Sequence, residues 1–142
     1  MAHGTVSSMM TGIVFLLPLI AAAAAAVLLI QHSARRRARR LLAGRRSLRD
    51  REFGELFPPE QAEVAVKLRA LLARHVPVDI SAVRPYDKPV ADLGMDDLDS
   101  MSVAELLMEI EDALGVKLSD DEAQQAQTFG DLVRTVAANA RR

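Results

Sequence analysis

The chain has 142 residues, half of them apolar, with 26% charged and 4% aromatic residues, no cysteine and a formal net charge of −1. One ordinary domain and little more fits that length, and the missing cysteines exclude a disulfide framework, Cys-ligated zinc and thiol chemistry by the polypeptide itself. The small net charge averages three unlike segments: residues 1–34 hold no Asp, Glu, Lys or Arg, residues 35–51 hold nine Arg against one Asp, and residues 79–131 hold fourteen acids against three bases. His3, His32 and His75 are far apart in sequence, which argues against a metal site.

After a short tail, residues 1–8, the stretch from Met9 to Ile30 runs for 22 residues without a charge. A helix rising ~1.5 Å per residue needs about 20 such residues to cross a hydrocarbon core of ~30 Å, so residues 9–31 are assigned as a single transmembrane helix. Pro18 is tolerated in a spanning helix. The run Ala21–Ala26 would also suit cleavage of a secretory signal. However, no base precedes the apolar stretch and an Arg cluster follows it at once, the reverse of a signal peptide's charge order. The Arg asymmetry predicts a single-pass membrane protein with its C-terminal part in the cytoplasm.

Residues 32–57 read as an Arg-rich juxtamembrane tether with some helix in 41–57. Arg35, Arg36, Arg37, Arg39 and Arg40, then Arg45, Arg46, Arg49 and Arg51, fix topology and attract anionic lipid headgroups, at about 1 kcal/mol per basic residue near the surface. No aromatic residue interleaves these arginines and an acidic segment follows, so no nucleic-acid partner is expected.

Residues 58–142 are predicted to form an all-α domain, a four-helix bundle behind the transmembrane helix. Pro58-Pro59-Glu60 opens a helix whose Val64, Leu68, Leu71 and Leu72 share a face to about His75, itself read as a capping or surface residue. Val76 to Leu98, with Pro77, Pro85, Pro89 and Gly94, reads as a long ordered loop. A second helix spans about Ser100 to Leu114 and stops at Gly115. Ser119-Asp120-Asp121-Glu122 and Thr128-Phe129-Gly130-Asp131 fit the capping-box pattern. They open a short helix near 120–126 and a last one near 129–140, whose Leu132, Val133 and Val136 share a face.

The 100–114 helix carries most of the information. At 100° per residue, Val103, Leu106, Leu107, Ile110 and Leu114 cluster on one side, with Glu105, Glu109 and Asp112 opposite and Met101 and Met108 beside them. An exposed side that is acidic only lacks the Glu–Lys pairing that a solvated helix favours. With its adaptable methionines, it reads as a docking face for basic partners. Asp99 is a natural N-cap, which puts the Ser100 hydroxyl at the positive end of the helix dipole, where an attached phosphate is stabilised; taken alone, Ser100 equally reads as a second capping hydroxyl.

Asp99-Ser100-Met101-Ser102-Val103-Ala104-Glu105-Leu106-Leu107-Met108-Glu109-Ile110-Glu111 resembles, without gaps, the Asp-Ser-Leu serine and following helix of the acyl carrier protein family, of the discrete acidic type that serves fatty-acid and related lipid pathways. The similarity continues through 115–123 and 128–133, and upstream Asp92-Leu93-Gly94 resembles the family's pre-helix turn. It covers roughly residues 58–142 and implies the family's helical bundle. The resemblance further implies that Ser100 bears a covalent 4′-phosphopantetheine arm, donated from coenzyme A by a phosphopantetheinyl transferase. Acyl or aminoacyl groups would ride on the arm's thiol, and the chain itself would be a carrier and not an enzyme. Acyl-transferring or acyl-activating enzymes with basic docking faces are the implied partners, with Met101, Glu105, Met108, Glu109 and Asp112 as recognition residues.

The chain departs from the family pattern at several points. Three extra residues lie between Gly94 and the serine, Met101 stands for the usual leucine, Ser102 for the usual acid, and a membrane anchor is atypical. A rival alignment puts Asp96-Asp97-Leu98 on the serine motif, so that Asp97, which cannot carry the arm, takes the critical position. It then needs a three-residue insertion that turns the helix's apolar face by about 300°. An unmodified carrier-like scaffold or regulatory subunit at the membrane is the alternative function. Asp92, Asp96, Asp97 and Asp99 do not meet the spacing of a calcium-binding helix–loop–helix, because Gly94 occupies a ligand position. No apolar strand precedes Asp97-Leu98-Asp99, as a phosphatase with paired aspartates would need.

Overall fold

The computed structural model describes residues 5–76, 78–95 and 98–140, in two compact units, Met1–Ser33 and Ala34–Arg142. All regular structure among the described residues is helical. The first helix, α1 (Thr5–Ala43), contains Pro18, and its stretch Pro18–Ala43 is long and apolar enough, by length and composition, to cross a membrane.

The second unit holds the last turns of α1 and six further helices: α2 (Asp50–Gly54), α3 (Pro59–His75), α4 (Pro89–Leu93), α5 (Ser100–Leu114), α6 (Asp120–Gln125) and α7 (Phe129–Asn139). The four helices expected from periodicity are α3, α5, α6 and α7. Helix α3 is the hub, packed against α2, α5 and α7, while α6 lies on α7. Its Ala65, Leu68, Leu71 and Leu72 are buried with Leu106 and Ile110 of α5 and Phe129, Leu132, Val133, Val136 and Ala137 of α7.

Local chemistry fixes the element ends. Pro59 presets the first turn of α3. Ser119 and Glu122 cap each other reciprocally at the start of α6, with the Glu122 amide donating to Ser119 Oγ at 3.2 Å and the Ser119 amide to the Glu122 carboxylate at 3.0 Å. Thr128 and Asp131 do the same for α7, both bonds being 3.1 Å. Gly115 ends α5 at φ 64°, a left-handed conformation that glycine adopts without steric cost.

Two expectations are corrected. From Ala38 on, the tether expected over 32–57 is folded into the second unit: Ala38 and Leu42 are buried, and so are Phe53 and Phe57. Phe53, Phe57 and Phe129 pack edge to face with ring centroids 5.2, 5.6 and 6.3 Å apart, so an Arg-rich segment carries much of the aromatic core. Most of its charges face outward or pair within the segment or with α3, and Arg45 reaches the buried Asp87. The Arg46 guanidinium meets Glu52 at 2.8 Å and that of Arg51 meets Glu55 at 3.2 Å, while Arg69, stacked 4.2 Å over the Phe53 ring, binds Asp50 at 2.7 Å. The loop expected over 76–98 contains α4, which starts at Pro89, has the Lys88 amide donating to the Asp92 carboxylate at 2.9 Å and ends at left-handed Gly94 with φ 76°.

Candidate functional site

Helix α5 begins at Ser100. Asp99 is its N-cap, its carboxylate accepting from the Ser102 amide at 2.7 Å, while its carbonyl accepts from the Val103 amide at 3.0 Å. The Ser102 amide, helped by the Ser102 hydroxyl and the Met101 amide, holds the Asp99 carboxyl below its ordinary range. Asp99 takes the Ser102 amide, and a group on Ser100 sits at the positive end of the helix dipole. Ser100 is exposed, and its hydroxyl has no hydrogen-bond partner among the described residues. Asp96 and Asp97, which the rival alignment places at the critical position, lie outside the described residues.

Ser100 stands at the rim of an open groove of about 510 Å³ between α4, α5 and α6. Its walls are mainly apolar, from Val90, Met95, Leu98, Val103, Leu107 and Ala123. Sequence reasoning did not find this groove, because its α4 and α6 walls come from segments that periodicity cannot orient. Val90 of α4 lines the groove and is 59% exposed, a property that only the fold shows.

The expected recognition residues fall into two groups. Met101 and Met108 are 74% and 56% exposed, and Glu105 and Asp112 are exposed beside them. Glu109 departs from the expectation of an unpaired face. It lies at the edge of that face, and its carboxylate meets the Arg74 guanidinium of α3 at 3.4 Å. His75, expected as a capping or surface residue, is the last residue of α3 and is largely enclosed, with Nε2 fully buried and 3.4 Å from the same Glu109 oxygen. On the other edge, Glu111 accepts from the Leu118 amide at 3.1 Å and from Lys117 at 3.0 Å, and the Leu118 bond, the larger cause, holds its carboxyl below the ordinary range.

Among the described residues no group of three or more His, Asp or Glu is arranged to hold a metal ion. The family model described as a phosphopantetheine attachment site matches residues 66–136, half of the chain, and this span contains Ser100, α5 and the groove.

Proposed function

The chain belongs to the phosphopantetheine attachment-site family of carrier domains, and from that premise we propose that it is a membrane-anchored acyl carrier whose 4′-phosphopantetheine arm is joined to Ser100. The observation that carries the proposal is an exposed serine hydroxyl, unengaged among the described residues, on the first residue of a capped helix and at the mouth of an apolar groove. These features fit the group. A hydroxyl open to solvent can reach the pyrophosphate of coenzyme A in a transferase site. There its oxygen would bond the pantetheine-side phosphorus as the pyrophosphate P–O bond breaks, adenosine 3′,5′-bisphosphate leaves and the transferase takes the hydroxyl proton. The dipole of α5 favours the resulting phosphodiester, and the groove can shelter apolar matter beside it. When bound, the arm supplies a thiol that holds a carboxylic acid as a thioester.

The chain's own residues position and present that arm. Asp99 fixes the first turn of α5 and hence the direction of Ser100, while Met101, Met108, Glu105 and Asp112 offer a partly apolar, acidic surface to a basic enzyme. The mainly apolar groove suits an acyl chain, and Asp120 in its lining can also receive the amine of an aminoacyl cargo. The exposed apolar stretch of α1 and the arginines after it support a single-pass anchor with the carrier unit in the cytoplasm. Lipid or envelope synthesis suits a carrier held at a membrane.

The test is the intact mass of the full chain in detergent after exposure to coenzyme A and a phosphopantetheinyl transferase. Wild type gains the mass of one arm and Ser100→Ala gains none, with the same helical spectrum. A Ser100→Ala chain that still gains the arm moves the site elsewhere, and a wild type that never gains it leaves an unmodified scaffold. For topology, protease added outside sealed cells should spare residues 58–142, and external cleavage there overturns the orientation.

A further inference from the structure

We propose that Arg74 is a specificity-determining residue for docking: from within the chain it competes for Glu109, so a basic partner must displace it to use the whole acidic face of α5. This rests on the carrier reading above. The four acids of α5 are not equivalent. Glu105 and Asp112 are exposed and have no partner among the described residues. Glu111 is committed to the fold, because its carboxylate holds the Leu118 amide at the turn after α5 as well as Lys117. Glu109 is intermediate. Among the described residues its carboxylate meets side chains only, Arg74 Nη1 and His75 Nε2, both at 3.4 Å from one oxygen.

Such a contact can be exchanged. Arg74 and Glu109 keep 64% and 38% of their side-chain surface in water, so a partner's guanidinium or ammonium can reach the carboxylate without opening the core. Arg74 belongs to the last turn of α3, where the helix dipole favours a cation, so its charge stays at the rim whether or not it holds Glu109. A basic partner therefore meets a strip of two free acids and two methionines with one neutralised acid at its edge. An exposed pair of this kind shifts an equilibrium by about two- to five-fold, enough to rank partners that do and do not supply a cation at Glu109.

The experiment measures kcat/KM for loading of the full chain in detergent by a phosphopantetheinyl transferase with coenzyme A, at low and high salt. The chains are wild type, Arg74→Gln, Arg74→Lys, Glu109→Gln and the Arg74→Gln/Glu109→Gln double variant. Arg74→Gln is expected to raise kcat/KM about two- to five-fold at low salt, through KM with kcat unchanged. The gain should shrink at ~1 M salt, where the Debye length falls to ~3 Å. Arg74→Lys should behave as wild type. In the Glu109→Gln background Arg74→Gln should change nothing, whereas a general charge effect would persist there. An unchanged or slower Arg74→Gln, or an equal gain in both backgrounds, overturns the inference alone. Wild type that is never loaded overturns the carrier reading and this inference with it.

Discussion

The guanidinium of Arg45 lies 2.6 Å from the carboxylate of Asp87, a residue 42 positions later and only 3% exposed. The same Asp87 oxygen accepts from the Arg84 amide at 2.8 Å, and the Asp87 carbonyl accepts from the Phe129 amide at 2.8 Å. One acid thus joins the chain after α1, the loop before α4 and the first residue of α7. The attraction raises the Arg45 pKa above its ordinary value, with the Asp87 hydrogen bond as the leading cause. Arg45 is therefore a structural residue, while Arg36, Arg37, Arg39 and Arg40 remain exposed.

Removing Arg45 leaves a buried carboxylate with only an amide donor. Arg45→Ala is expected to destabilise the carrier unit by about 2–4 kcal/mol, whereas Arg40→Ala should stay within about 0.5 kcal/mol of wild type. Chemical denaturation of the full chain in detergent, followed by circular dichroism, compares the two. Equal effects would show that Asp87 does not depend on Arg45.

Phe53 gives a sharper test of whether residues 50–57 belong to the fold. Its ring is fully buried, contacts two other phenylalanines and carries the Arg69 guanidinium on its face. Phe53→Ala should cost about 3–5 kcal/mol, measured by the same denaturation. A cost below about 1 kcal/mol would return the segment to the status of a linker.

The helices that α3, α5, α6 and α7 make were legible because their signals are local: Pro59 at a first turn, Asp99, Ser119 and Thr128 as caps, Gly115 as a stop, and apolar spacing between them. Helix α4 was missed because five residues are too few to show a period, although Pro89, Asp92 and Gly94 mark its start, cap and end. The burial of Phe53 and Phe57 was missed because nine arginines dominate that segment's composition and turn attention outward. Pairings such as Arg45 with Asp87 and Arg74 with Glu109 depend on how distant segments pack, which no local pattern encodes. Ser100 stood out because the contiguous stretch 99–111 resembles the carrier family's serine helix, whereas the groove beside it needs α4 and α6 in place.

Gly115 tests one of the legible signals. A β-carbon there would meet nothing within 4 Å, so the only obstacle is its backbone angle, φ 64°. Gly115→Ala should cost about 1–2 kcal/mol from left-handed strain alone, with α5 intact in its circular dichroism. No measurable loss in a denaturation curve would mean that the turn into Val116 rearranges.

The cap at Asp99 sets a pH dependence whose sign follows from its environment. The Ser102 amide lowers the folded Asp99 pKa below the ordinary 3.8. A carboxyl depressed in the folded state contributes stability above its unfolded pKa, and that contribution is lost as pH falls through the folded value. The full contribution is therefore present at pH 7 and declines below about pH 4. Asp131, bonded chiefly to the Thr128 side chain, and Asp79, bonded to the Ser81 amide, are shifted the same way, so acid melting of wild type alone does not isolate Asp99. Asp99→Asn does, because Asn caps about as well as Asp but does not titrate. Above pH 5 the variant should match wild type or fall slightly below it, having lost a charge favoured by the helix dipole. Between pH 4 and 2 it should become the more stable of the two. The Ser102 amide resonance should titrate in wild type with an apparent pKa below 3.8 and lose that step in the variant. Parallel stability curves across this range would show that the Asp99 carboxylate does not hold the start of α5.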